Sequence, residues 1–167
     1  LMECTERGIL IDVALAQSET QSNALWSIRE TIPEAQFTNV KHDVSVPVSS
    51  IARMIDEGMA ELTQAFPGCV GFIFGHIGDG NLHYNVQAPQ GEDGAAFLRD
   101  FEDTVNTWVF DQVKAFNGSI SAEHGVGSLK AEKLTHYKDP TALAMMKAIK
   151  QALDPKNIMN PGRVIKI

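Results

Sequence analysis

The chain has 167 residues, 44% of them hydrophobic, with 14 basic and 21 acidic side chains for a net charge of −7. That is enough apolar material for one domain with a core. The acidic balance, with no dense run of Lys or Arg, argues against a nucleic-acid partner or an anionic membrane surface, and no apolar run approaches the roughly 20 residues that span a bilayer.

The first apolar stretch, residues 8–16, has β-compatible composition and predicts a strand. From Ser18 to about Glu30 the pattern turns helical, with Ala24, Leu25, Ile28 and Ile32 near one face and Pro33 closing it. Val40, Val44 and Val46 keep even spacing, which suits a strand ending at Pro47. Residues 49–66 place Ile51, Ile55, Met59, Leu62 and Phe66 on one helical face, with Ser49 or Ser50 available as the cap. The run from Cys69 to His76 reads as a buried strand. A glycine-containing turn, Ile77 to Asn81, follows it, and then strict alternation begins. Leu82, Tyr84 and Val86 fall on one side, and His83, Asn85 and Gln87 on the other. A hairpin is the expected result.

The longest predicted helix covers 94–116, with Phe97, Phe101, Val105, Trp108, Val109, Val113 and Phe116 as its apolar face and Asn117-Gly118 as its stop. A glycine-flanked segment, 119–127, leads into a polar stretch. A last helix starts near Pro140 and carries Leu143, Met146, Ile149 and Leu153. The expected fold class is α+β, a mainly antiparallel sheet with helices packed on one face. Cys4 and Cys69 stand far apart with no zinc spacing around them, which suits a reduced compartment.

Three groups of residues carry candidate chemistry. His76 and His83 flank the turn, so a hairpin brings their strand ends together, and two imidazoles there can share a metal ion. Glu123 is the candidate third ligand, and two His with one carboxylate suit zinc, manganese or iron. The competing reading is one core histidine and one surface histidine. His42 and His136 sit in polar sequence and read as solvated. Arg29, one turn from Trp26, and Lys41 can hold a carboxylate, although on the residues alone a solvated helix face and an edge lysine are the preferred reading. Asn160, in the turn-rich tail 154–163, is a candidate hydrogen-bonder or only a turn residue. On these residues alone, a stand-alone metal- or ligand-binding module and a purely structural domain both remain open.

Five stretches taken together resemble the FAD-linked oxidase family, which includes D-lactate dehydrogenases, glycolate oxidase subunits and D-2-hydroxyglutarate dehydrogenases. They are LWSIRE (25–30), KHDVSVPVS (41–49), GHIGDGNLHYN (75–85), SAEHGVGSLK (121–130) and DPKNIMNPGR (154–163), in the family's order and relative spacing. The resemblance runs from about residue 13 to the end. It implies a ferredoxin-like cap domain, or part of one, spanning 1–167, with the N-terminal FAD-binding domain outside this chain. The GDG at 78–80 sits between two strands and does not match a phosphate-binding loop.

The resemblance further implies oxidation of a small D-2-hydroxy acid to the 2-oxo acid, with hydride passing to FAD and no activity from the cap alone. It assigns His76, His83 and Glu123 to a divalent metal (zinc or manganese), His124 to the hydroxyl proton, and Arg29, Lys41 and Asn85 to substrate. Asn160 is assigned to the flavin. An electron acceptor (a quinone, a cytochrome or an electron-transfer flavoprotein) is implied as partner. The expected location is the bacterial cytoplasm or the periphery of the inner membrane, or the mitochondrion in a eukaryote. Pro33 departs from the family pattern, since some 2-hydroxyglutarate-type members carry threonine at that position.

Overall fold

The computed structural model describes residues 1–36 and 38–167, and the chain divides into two units, 1–36 and 37–167. The first unit holds a short helix α1 (Met2–Glu6), a helix α2 (Glu19–Thr31) and a 3-10 turn, Ile32–Ala35. Ser18 caps α2 by accepting from the Gln21 backbone N–H at 3.3 Å. Pro33 sits inside the 3-10 turn, where its fixed φ is tolerated. The strand expected over residues 8–16 does not form: the segment is irregular, and Ile9, Ile11 and Leu15 are exposed. β-propensity alone makes no strand, because a strand needs a neighbour to satisfy its backbone, and none of the described residues pairs with this segment.

The second unit is built on a four-stranded antiparallel sheet. Its strands are β1 (Asn39–Val40), β2 (Asp43–Ser45), β3 (Val70–His76) and β4 (Asn81–Gln87). β4 is central: β3 pairs along its whole length on one side, and β1 and β2 share the other. Two helices cover one face, α3 (Ile51–Ala65) and α4 (Gly94–Ala115). The helix-side face of β4 is Leu82, Tyr84 and Val86, as the alternation requires, and it packs with Val40, Val44, Met54, Leu62, Val105, Val109 and Val113 in one core. Burying side chains of this size stabilises by about 1.5–3 kcal/mol each, which is why the two helices take this face.

Five details differ from the sequence reading. The fully buried line of α3 is Met54, Gly58 and Leu62, so Leu62 alone of the expected stripe is fully buried, while Ile51, Met59 and Phe66 pack partly buried against the core. Gly58 packs closely on the sheet, since a Cβ there would stand 3.0 Å from the Tyr84 hydroxyl. No side-chain cap bond forms at Ser50; a 3-10 turn, Val48–Ser50, leads into α3 instead. In α4, Phe110 is buried and Phe101 is 46% exposed. β3 was expected to be a buried strand, but among the described residues it is an edge strand paired with β4 alone, and Val70 and Phe72 are exposed on its open face. A helix in the polar stretch, α5 (Ala131–Tyr137), was not anticipated, and α6 (Pro140–Leu153) closes the element order. Asn117, with φ 57, ends α4 in the left-handed region. Among the described residues no helix is long and apolar enough to cross a membrane.

Of the two glycines in the hairpin loop, only Gly80 is conformationally required. It has φ +79, and a Cβ there would lie 2.0 Å from the Val46 carbonyl oxygen, whereas Gly78 faces open space. Gly80→Ala should therefore cost about 2 kcal/mol or more, and Gly78→Ala no more than about 0.5 kcal/mol. Thermal melts of the two variants, side by side, check this contrast.

Candidate functional site

The open face of the sheet gathers the chemistry. Partnered residues in an antiparallel pair share a face, so the pairs His76–Asn81 and Phe74–His83 put both histidines on the side away from the core. Their ring centroids are 6.4 Å apart. The loop between them is tied down at both ends: the Asp79 and Gly80 N–H groups donate to the His76 carbonyl, and the Asp79 carboxylate accepts from the Asn81 N–H at 3.0 Å.

On the other side of β4, Asp43 of β2 lies directly across from His83. Residues 119–124 run beside β2. Ser119 exchanges two backbone hydrogen bonds with Ser45, at 2.8 and 3.0 Å, and this starts the alignment. Glu123 then brings Oε1 to 3.1 Å from His83 Nε2. One ligand-capable atom from each of His76, His83 and Glu123 lies within 4.8 Å of the others. Two imidazoles and a carboxylate converging at this range are a donor set that could hold a divalent ion. The His124 ring is adjacent, 6.0 Å from the His83 ring, and is largely exposed.

Asp43 and Lys130 were not singled out as site residues by sequence, although both lie inside motifs that were, KHDVSVPVS and SAEHGVGSLK. Asp43 is 5% exposed, and its carboxylate accepts from the backbone N–H groups of Ala122, Glu123 and His124 at 2.8–3.2 Å. Burial pushes its carboxyl upward, but the donors from His124, Glu123 and Ala122, with the nearby His124 ring, outweigh that and hold it below the usual carboxylate range. Lys130 Nζ donates to the Ile120 carbonyl at 2.9 Å and to the Asp43 carbonyl at 3.4 Å. Burial lowers its ammonium, and the charge of Asp43 works against that shift. Asp43, Glu123 and His124 also form a close cluster, yet the Asp43 oxygens are already filled by three amide donors, so this cluster is a poorer metal site than the His76–His83–Glu123 group.

The remaining sequence candidates fall in several places. Asn85 shares the His83 face but is buried, and its Oδ1 accepts from the His42 N–H at 3.4 Å. Lys41 is exposed and lines an open cleft with Leu129, Lys130 and Lys133. Arg29 belongs to the first unit, with its guanidinium 5.8 Å from the Trp26 ring centre. Asn160 is exposed in a turn with φ 46, and its carbonyl accepts from the Arg163 N–H. That tail is organised by Asp154, which accepts from the Ile158 and Met159 N–H groups and pairs with Lys150.

His42, expected to be solvated, is instead 2% exposed, with Nδ1 at 2.6 Å from the Tyr84 carbonyl and its ring edge-on to Phe110. Its polar sequence neighbours misled because His42 points to the helix side of the sheet while Asp43 points to the open side. His136 is exposed, as expected.

Residues 1–164 match the family described as FAD linked oxidases, C-terminal domain. The chain is 42% identical over 163 residues to a D-2-hydroxyglutarate dehydrogenase of Stutzerimonas stutzeri (strain A1501), covering 96% of this chain and 35% of that protein. It is 39% identical over 165 residues to a D-2-hydroxyglutarate dehydrogenase of Xanthomonas citri pv. viticola, covering 98% of this chain and 35% of that protein. It is 36% identical over 168 residues to the mitochondrial D-2-hydroxyglutarate dehydrogenase of Arabidopsis thaliana, covering 99% and 28%. The chain thus spans about a third of the length of the curated relatives it matches.

Proposed function

Because the chain belongs to the C-terminal domain family of the FAD-linked oxidases, we propose that it is the substrate-handling part of a flavin-dependent dehydrogenase that oxidises a D-2-hydroxy acid, D-2-hydroxyglutarate in the first place, to the 2-oxo acid. The observation that carries the proposal is the convergence of His76, His83 and Glu123 beside His124 on the open sheet face. The relatives' names support the choice of substrate.

In this reading His76, His83 and Glu123 hold a divalent ion. A bound ion there would supply Lewis-acid polarisation of a substrate hydroxyl, and a flavin would supply the hydride acceptor. His124 keeps Nδ1 on the Asp43 side, 3.9 Å from that carboxylate, and takes the hydroxyl proton at Nε2. Lys41 and Arg29 are assigned to substrate carboxylates, and Asn160 to the flavin, on the motifs alone. Asn85 supports the face that carries His83.

The test is calorimetric titration of zinc and manganese into metal-stripped intact protein, with His83→Ala in parallel and turnover of D-2-hydroxyglutarate measured on both. Stoichiometric binding lost in His83→Ala, together with loss of turnover, is expected. Full turnover by protein that binds neither ion would overturn the metal assignment.

A further inference from the structure

We infer that Asp43 is the positioning residue of this centre, holding the backbone of Ala122, Glu123 and His124 so that one metal ligand and the proton acceptor are registered against His83. The inference rests on the metal and acid–base reading above.

The segment from Ser119 to Lys130 contains no helix or ladder of its own. Its regular pairing with the sheet is the Ser45–Ser119 bridge, three residues before Ala122. On the far side come Gly125 and Gly127, both with positive φ, which give the chain little stiffness. Between these points three successive amides converge on a single carboxylate. Oδ2 accepts from Ala122 at 3.2 Å, Glu123 at 3.1 Å and His124 at 2.8 Å, and Oδ1 accepts from Glu123 at 3.2 Å. Successive N–H groups aimed at one anion make a charge-assisted nest, stronger than the same bonds to a neutral acceptor.

The carboxylate that fills this nest stands on β2 opposite His83. One side chain therefore ties β2, the strand paired with the one that bears His83, to the loop that bears Glu123. Lys130 closes the arrangement from the other end by gripping the Ile120 and Asp43 carbonyls. Asp43 acts through the backbone: at 3.9 Å its oxygen is too far from His124 Nδ1 for a hydrogen bond. Removal of a partner that orients a metal ligand typically weakens metal affinity about 10–100-fold.

The experiment uses intact protein with Asp43→Ala, and with Asp43→Asn as the milder variant should the alanine protein not fold. Two quantities are read: hydrogen–deuterium exchange of peptides covering 121–127, and the visible spectrum of Co2+ added to metal-stripped protein. Expected in the variant are exchange at least about 10-fold faster in that segment alone, a shifted cobalt band and cobalt affinity down about 10–100-fold. A role confined to global stability would leave the spectrum of the folded, cobalt-bound fraction unchanged. Unaltered exchange at 121–127, or faster exchange with an unshifted cobalt band, would overturn the inference. If the unaltered protein binds no cobalt, the metal reading itself falls, whereas cobalt bound equally well by both proteins sinks only the role of Asp43.

Discussion

His124→Ala is expected to lower turnover of the 2-hydroxy acid by about 10²–10⁴-fold while metal and flavin content stay at the wild-type level. The size follows from the role proposed for the ring, since a positioned base contributes about that much to proton transfer. The selectivity follows from its surroundings. The His124 side chain is 70% exposed, and its nearest charged partner is at 3.9 Å, so its removal leaves no cavity and strands no buried group. Such exposed substitutions change stability by no more than about 0.5 kcal/mol. His83→Ala should behave differently and lose metal together with turnover. Parallel assays of turnover, metal and flavin on the two variants check the division of roles. Equal loss of flavin and turnover in His124→Ala would mean that the ring supports the structure and takes no part in proton transfer.

The second large effect concerns stability against pH, and it is expected from His42. Burial pushes this imidazole down to about 4, and Lys130 and Lys133 push the same way, while the Tyr84 carbonyl and the Asn106 side chain oppose. The unfolded chain binds the proton at about 6.5. Above pH 6.5 both states are neutral at this position and the contribution is complete. As pH falls from 6.5 to 4, the unfolded state is protonated first and is favoured by about 1.4 kcal/mol per unit. The total loss is about 3 kcal/mol, and below pH 4 this group adds nothing more. Asp154 acts in a separate, more acidic window. The Lys150 hydrogen bond first, then the Ile158 and Met159 amides against the effect of burial, hold its carboxyl down to about 2, so its contribution is lost below the ordinary carboxylate range. Urea denaturation of wild type and His42→Gln at pH 7, 5.5 and 4 separates the two groups. The variant is expected to start less stable at pH 7 and to lose about 3 kcal/mol less on the way to pH 4. Parallel curves for the two proteins would show that His42 is not the group responsible.

Much of this protein is determined by local sequence. The alternation from Leu82 to Gln87 assigns Tyr84 and Val86 to the core and His83 and Asn85 to the opposite face, because strand side chains alternate regardless of what lies around them. The helical periodicity through Val105, Val109 and Val113 marks the face of α4 that is buried. A short turn between two apolar runs places His76 near His83. Five motifs in family order carried the remaining assignments, which spacing alone left open.

Tertiary structure decided what depends on surfaces meeting. The apolar residues 8–16 looked like a strand, but a strand exists only with a partner, and none of the described residues supplies one. The run 69–76 read as a buried strand, yet β3 lies at an edge because, among the described residues, no strand pairs with its other side. His42 and Asp43 are adjacent in a polar stretch, and the pleat sends one into the core and the other under the loop at Ala122–His124. Glu123 reaches His83 across 40 positions of sequence through the Ser45–Ser119 bridge and the Asp43 carboxylate. Periodicity is a property of neighbours along the chain and can be read from it, whereas the candidate centre is made by contacts between distant segments, whose pairing is settled only when the sheet and its flanking loop pack together.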